Sequence, residues 1–339
     1  MSGNSAGPRS PGTDGSRSSE LPYLSVLVPV KDEVESLEQL VHEVDTALEA
    51  DGFLRGAWEL VFIDDGSSDG SWSLMQQLSH RHSAIAALRF RRNRGKSAAL
   101  AAGLSASRGS LIATMDGDLQ DDPAEIPDMV RRLRNEEVDL VAGHKSDRKD
   151  PLSKTLPSKL FNKVVSLVTG LKLRDHNCGL KVGRREAFDS VPLYGEMHRF
   201  LAAIAHAEGH VVAEHSVNHR PRVHGRSKFG WERYARGGLD LLTVVTLTRY
   251  SRRPAHLFGG LGIIFGLLGF GVLAFLTGVW MFTDQAIGNR PLLLFGVLLV
   301  VLSVQLVSLG VLAELLVHRE AQRESPLRRT ISDSTRQEV

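Results

Sequence analysis

From residue 24 to about residue 212, short apolar runs alternate with segments whose apolar positions recur at helical spacing, the pattern of an α/β sheet. Leu24-Ser-Val-Leu-Val28 reads as a strand and residues 34–54 as an amphipathic helix. The next strand, from Trp58 to Ile63, runs into Asp64-Asp65-Gly66-Ser67-Ser68-Asp69-Gly70. A helix through residues 74–81 precedes a strand over 85–90. Arg94-Gly-Lys96 then opens an Ala-rich helix over 97–107. The last clear apolar run, Leu111-Ile-Ala-Thr-Met115, is followed at once by Asp116-Gly-Asp118-Leu-Gln120.

The pattern changes late in the chain. Residues 257–283 and 291–313 contain no charged side chain, and each run exceeds the roughly 20 residues that cross a bilayer core as a helix. Gly259, Gly260, Gly262, Gly266, Gly269 and Gly271 would weaken a soluble helix but are ordinary in a membrane one. Packing of this first span against a neighbouring copy would make the protein a homo-oligomer. Glu314 is expected at the interface or facing protein. Arg249, Arg252 and Arg253 precede the first span, and Arg319, Arg323, Arg328 and Arg329 follow the second. The connecting residues 284–290 carry one charge of each sign. This bias predicts a multi-pass protein of the inner (plasma) membrane with both flanks cytoplasmic.

Residues 231–250 mix Leu239, Leu242 and Val245 with Arg233, Arg236 and Arg249, which suits an interfacial helix or a plain domain-closing one. Residues 1–20 are rich in Ser, Gly and Pro and lack the apolar core of a signal peptide. The expected organisation is a disordered leader (1–20), an α/β catalytic domain (21–230), a juxtamembrane helix (231–255), a membrane hairpin (256–318) and a cytoplasmic tail (319–339).

Composition narrows the chemistry. A net charge of +2 provides no global basic field, so no nucleic-acid partner is expected. The single cysteine, Cys178, excludes an internal disulfide framework and a multi-thiolate zinc site. His215, His219 and His224 have no Cys or Glu partner at metal spacing and read as surface or strand histidines.

Three carboxylate clusters fall at the ends of successive strands: Asp32-Glu33, Asp64-Asp65, and Asp116 with Asp118. Loops at one edge of a sheet converge, so these groups could line a single crevice. Asp116-Gly-Asp118-Leu-Gln120 suits a hard-oxygen site for Mg²⁺ or Mn²⁺, and by itself it equally suits a solvated acidic turn. Lys96, at a helix start, is either a cation for an anionic ligand or an ordinary surface lysine.

Seven pieces in order resemble the family 2 glycosyltransferases of GT-A fold, and within them the polyprenyl-phosphate (dolichyl-phosphate mannose or glucose synthase-like) glycosyltransferases. They are Pro29-Val-Lys-Asp-Glu33, Ile63-Asp-Asp-Gly-Ser-Ser-Asp-Gly70, Asn93-Arg-Gly-Lys96, Met115-Asp-Gly-Asp-Leu-Gln120, Asp175-His-Asn-Cys-Gly-Leu-Lys181, Glu196-Met-His-Arg-Phe200 and His219-Arg-Pro-Arg-Val-His-Gly-Arg-Ser-Lys228. The two apolar spans fit one branch of that family. The resemblance implies a Rossmann-like nucleotide-sugar domain in which Pro29, Glu33, Asp64 and Asp65 hold base and ribose. Lys96 and Asp116 join that donor site. Asp116, Asp118 and Gln120 would bind Mg²⁺ or Mn²⁺ between the two phosphates. Arg226 and Lys228 would close over the diphosphate, and Lys145, Lys154 and Ser158 would meet the lipid phosphate. Lys31-Asp32 departs from the aromatic residue and Asn of many relatives, which leaves base recognition open.

A phosphate acceptor also suits the chemistry. A phosphate monoester has its second pKa near 6, so it arrives anionic and needs cations more than a base. Arg199, Lys145, Lys154 and Lys159 are available, and Glu196 is the one candidate base. The Gln-X-X-Arg-Trp pattern of processive synthases does not occur in residues 195–200. The expected reaction is inverting transfer of a hexose from a nucleotide sugar to undecaprenyl- or decaprenyl-type phosphate at the membrane, for cell-envelope glycosylation. UDP-glucose ranks first as donor, ahead of GDP-mannose and UDP-N-acetylhexosamines. The rival readings are a polysaccharide synthase and a non-enzymatic anchor or partner of a lipid flippase. Loss of the acidic site would favour the latter, yet Asp64, Asp65, Asp116, Asp118 and Gln120 are all present.

Overall fold

The computed structural model describes residues 22–145, 162, 165–167, 169–218, 220, 243, 254–283, 286, 288 and 291–323, with side chains of the last helix to residue 319. These fall into two compact units, one within 1–152, 174–205 and 210–227, the other within 153–173, 206–209 and 228–339. The expected leader and nearly all of the juxtamembrane helix lie outside the described residues.

In the first unit, β1 (Leu24–Val30), β2 (Trp58–Asp64), β3 (Ile85–Arg89) and β4 (Leu111–Thr114) pair in parallel. Three further strands complete a seven-stranded mixed sheet: β5 (Leu140–Lys145), β6 (Lys181–Arg184) and β7 (Val212–Val217). The order is β3-β2-β1-β4-β6-β5-β7, with β6 antiparallel to both of its neighbours. β2 is buried at every position and β1 at all but one, which is why both are mostly apolar and do not alternate; their buried polar side chains, Ser25 and Glu59, bond each other at 2.7 Å. Helix α1 (Leu37–Ala50) buries Leu37, Leu40, Val41, Val44 and Leu48, each of the larger side chains contributing about 2 kcal/mol. Helices α2 (Ser71–Arg81), α3 (Lys96–Ala106) and α4 (Ile126–Asn135) complete the crossovers between these strands.

Two expected helices differ at an end by more than one residue, and α3 begins and ends one residue before its expected 97–107. α1 starts and stops inside residues 34–54, where polar side chains bond the flanking turns. Ser36 Oγ donates to Glu33 O at 2.9 Å, and Asp51 Oδ1 accepts the N–H groups of Phe53 and Leu54 at 2.9 and 3.1 Å. α2 starts three residues before position 74, where Asp69 Oδ1 accepts the Ser71 N–H at 2.9 Å.

Register decides where chemistry can occur. Val30 lies opposite Asp64, Asp64 opposite Arg89, and Thr114 opposite Lys181. The chain leaves β1 toward β2 and later returns to β1's other side as β4, which makes the carboxyl ends of β1 and β4 a topological switch point. Short helices α5 (Arg185–Asp189) and α6 (Leu201–Ala207) bracket a 3₁₀ turn, Met197–Phe200.

The second unit contains α7 (Pro254–Phe282) and α8 (Pro291–Arg323), both long and apolar enough to cross a membrane. α8 continues to Arg323, so residues 319–323 of the expected tail are helical. The small residues work inside this hairpin. A Cβ on Gly262, Gly266 or Gly269 would come within 2.7–2.9 Å of Val307, Ser303 or Leu299 side-chain atoms. Gly259, Gly260 and Gly271 face open space. Glu314 Oε2 accepts the Ala255 N–H at 3.2 Å, capping the first turn of α7, so this acid faces protein.

Candidate active site

The acidic loop after β2 is built largely by its own carboxylates. Asp64 is fully buried; its Oδ1 accepts the Ser67 N–H at 2.7 Å, and its Oδ2 lies 3.1 Å from Arg89 Nε. Asp65 accepts the Arg94 N–H at 2.6 Å and the Gly95 N–H at 3.0 Å, one on each oxygen, anchoring the loop that opens α3. Gly66, at φ +71°, passes so close to Arg92 and Asn93 that a Cβ would meet their backbone at 2.9 Å. A cleft of about 340 Å³ opens here between Gly66, Ser67, Arg89, Phe90 and Arg91.

The unusual Lys31-Asp32 pair has a local explanation. Lys31 Nζ donates to Gly66 O, and Asp32, at φ +55°, accepts the Ser68 N–H at 2.7 Å. Glu33 donates its N–H to Ser71 Oγ at 3.1 Å. The first carboxylate cluster therefore laces the β1 loop to the β2 loop. Pro29, in β1, sits opposite Ile63.

The third carboxylate cluster lies past β4. Asp116 Oδ1 pairs with Lys96 Nζ at the start of α3. Asp121 Oδ2 accepts the Asp116 N–H and Asp118 Oδ1 the Gln120 N–H, both at 3.2 Å. Leu119 adopts φ +61°, closing a tight turn. The Ser36 hydroxyl, its single proton shared with Glu33 O, also reaches Gly117 O at 2.5 Å, tying that turn to the start of α1. Burial would raise the Asp116 carboxyl, but Lys96 first, then Lys145, hold it down at about 2. Asp121 goes the other way, to about 6, through burial and the neighbouring Asp116 charge. Burial works against the Lys96 ammonium, and Asp116 outweighs it, so its pKa is raised.

Gly179 brings β4 and the turn before β6 together. Its carbonyl accepts the Thr114 hydroxyl at 2.9 Å. A Cβ at 179 would fall 2.7 Å from Asp121 Oδ2 and 3.0 Å from Asp116 Cγ.

Other expected residues are distributed around this cluster. Lys145 ends β5, near enough to lower both Asp116 and Asp121. Arg199 pairs with Glu196 at 2.8 Å, so the candidate base is held as the partner of a guanidinium. Lys154, Ser158, Lys159, Arg226 and Lys228 lie outside the described residues, as do His219 and His224. The beginning of the basic loop is described. The Arg220 N–H donates to Gln120 O at 3.0 Å, and its guanidinium meets Glu43 at 2.6 Å and Asp122 at 2.8 Å. His215 stands on β7, 3.4 Å from Glu125.

Sequence reasoning overlooked three features. Asp121 directly follows Gln120 and was legible as a further carboxylate. Arg220 lay unmarked within a quoted motif. The contact of His198 with Ser97 joins positions 101 residues apart, and nothing in the sequence signalled it.

Asp116, Asp118 and Asp121 carboxylates and the Gln120 amide on one turn are hard oxygen donors that fit Mg²⁺ or Mn²⁺. Among the described residues no three His, Cys, Asp or Glu groups already stand at metal spacing, so ligand oxygens would have to complete a coordination shell.

Residues 25–191 match the profile of glycosyl transferase family 2. The chain is 40% identical over 297 residues to the dodecaprenyl-phosphate galacturonate synthase of Rhizobium johnstonii, covering 86% of this chain and 87% of that protein. It is 35% identical over 296 residues to the undecaprenyl-phosphate 4-deoxy-4-formamido-L-arabinose transferase of Pseudomonas aeruginosa, covering 86% and 84%. Among solved structures, the glucosyl-3-phosphoglycerate synthase of Mycobacterium tuberculosis, crystallised with Mn²⁺, UDP and phosphoglyceric acid, matches with a TM-score of 0.52. Identity there is 16%, over 66% of this chain and 78% of that one, so the likeness is one of fold.

Proposed function

The chain belongs to glycosyl transferase family 2, and from that premise we propose that it transfers a sugar from a nucleotide donor to the phosphate of a polyprenyl lipid. The observation that carries the reading is one chain that joins an acidic switch-point crevice to two membrane-length helices. Its likeness to two enzymes named as polyprenyl-phosphate sugar transferases, over 86% of its length, supports the acceptor class.

In the proposed reaction a lipid phosphate oxygen attacks the anomeric carbon in line. The bond from that carbon to the nucleoside diphosphate breaks, and configuration inverts. No proton need leave the acceptor, because the phosphate is largely dianionic at neutral pH. Glu196, held by Arg199, is not required as a base. A bound Mg²⁺ or Mn²⁺, held by Asp116, Asp118 and Gln120, would neutralise charge on the departing diphosphate.

Asp64 and Asp65, with Pro29 and Glu33, are assigned to the nucleotide sugar, while Lys96 holds Asp116 in place. Arg226 and Lys228 follow the segment that Arg220 ties to Gln120, and they are assigned to the diphosphate. Lys145, Lys154, Ser158 and Arg199 are assigned to the acceptor phosphate. The likeness to a galacturonate synthase adds a nucleotide-linked hexuronate such as UDP-galacturonate to UDP-glucose and GDP-mannose as donor candidates. We place the catalytic domain and both termini on the cytoplasmic side of the plasma membrane, on the arginine bias around the spans. The open faces of Gly259, Gly260 and Gly271 support a homo-oligomer.

The test uses purified full-length protein, Mg²⁺ or Mn²⁺, undecaprenyl phosphate and a panel of labelled nucleotide sugars. The expected product is an organic-extractable lipid that mild acid cleaves. No such product with any donor overturns the proposal.

A further inference from the structure

His198 occupies the 3₁₀ turn Met197–Phe200 and reaches back to the first turn of α3. Ser97 there is fully buried. Its Oγ accepts the His198 backbone N–H at 3.0 Å and stands 2.9 Å from His198 Nδ1. A backbone N–H can only donate, so the hydroxyl's single proton still needs an acceptor at this depth. Among the described residues, His198 Nδ1 is the acceptor that Ser97 Oγ meets. Donation to Nδ1 leaves the proton of a neutral imidazole on Nε2.

The ring lies against the start of α3, next to the Lys96–Asp116 pair. Ser97 follows Lys96, whose ammonium pairs with Asp116, and Arg199 follows His198. No described group bonds Nε2. A third cation here would repel Lys96 and Arg199, whereas a neutral N–H adds a hydrogen bond to an anion without that cost.

We infer that His198 donates its Nε2–H to a phosphate oxygen of the bound reactants, with Ser97 Oγ fixing the tautomer. The inference rests on the glycosyl-transfer reading above. The phosphate belongs either to the nucleotide donor or to the polyprenyl acceptor, and both present the same chemistry.

The experiment compares full-length wild type with His198→Gln, His198→Asn and Ser97→Ala. A Gln side chain carries an amide N–H about as far as Nε2, whereas Asn reaches only the position of Nδ1. His198→Gln should keep both KM values within about threefold of wild type. His198→Asn should raise one of them about tenfold or more, the loss expected for a hydrogen bond to a charged group. A rise for the nucleotide sugar assigns the contact to the diphosphate, and a rise for undecaprenyl phosphate assigns it to the lipid. Ser97→Ala should fall between, because the tautomer is released while the ring remains. Equal KM values in all variants, or Gln as damaging as Asn, overturn the inference.

Nitrogen-15 NMR of histidine-labelled protein without substrate supplies a second readout, with Nε2–H expected and Nδ1–H refuting. Because it needs no turnover, it judges the inference even if wild type transfers no sugar. That last result would sink the transfer reading separately.

Discussion

Gly179→Ala is the substitution whose consequence follows most directly from the geometry. The added Cβ would sit 2.7 Å from Asp121 Oδ2, so one of the two must retreat by about 0.7 Å to reach contact at 3.4 Å. The backbone at 179 has little freedom to move. Its carbonyl is held by Thr114 Oγ1 at 2.9 Å, and the next carbonyl, Leu180 O, by the Gly143 N–H at 2.9 Å. The carboxylates must therefore yield, and Asp121 carries the Asp116 N–H with it. Overpacking of this kind costs about 1–3 kcal/mol of stability. A shift approaching 1 Å in a positioning group costs about 10²-fold in rate. The expected result is a melting midpoint lowered by a few degrees with transfer reduced about a hundredfold. Thermal melts of detergent-solubilised protein and the lipid-extraction assay measure the two. Full activity with an unchanged midpoint would refute the claim that Gly179 sets the position of these acids.

Asp118→Ala should abolish transfer at any Mg²⁺ or Mn²⁺ concentration, measured by metal titration of the same assay; retained activity would remove this residue from the metal role. Arg220→Ala breaks the contacts to Glu43 and Asp122 and should cost about 1 kcal/mol, with a melting midpoint about 2–4 °C lower. Unchanged stability and turnover would show that this tie does not order the loop. Buried His176, pushed down to about 4 mainly by desolvation, is protonated more readily in the unfolded chain. Its contribution to stability is therefore full above about pH 6.5 and lost as pH falls toward 4. Denaturation midpoints between pH 7 and 4.5 should show a slope that His176→Phe reduces. Glu314→Leu should lower the stability of the hairpin by about 1 kcal/mol through loss of the cap on Ala255, read by denaturant titration.

Most of the architecture was legible because its signals are local. Mostly apolar runs marked the sheet's central strands, and two uncharged stretches marked α7 and α8. Helix ends were less legible, since Ser36, Asp51 and Asp69 satisfy backbone groups through contacts that periodicity does not record. At the site, Asp116, Asp118 and Gln120 could be picked out because one short turn carries them all. The use of Asp32 and Asp65 as loop ties was not legible, because a carboxylate reads the same whether it meets a ligand or a backbone N–H.

Residue order by itself determined the strand–helix alternation, the membrane-length hairpin and the acidic turn after β4, all set by hydrophobic period and near neighbours. Tertiary structure alone decided that β1 and β4 adjoin at a switch point, that Lys96 pairs with Asp116, that position 179 has no room for a Cβ beside two carboxylates and that Ser97 meets His198. Each of these joins groups at least 20 residues apart. Pairing register and side-chain reach settle such contacts, and a linear pattern contains neither.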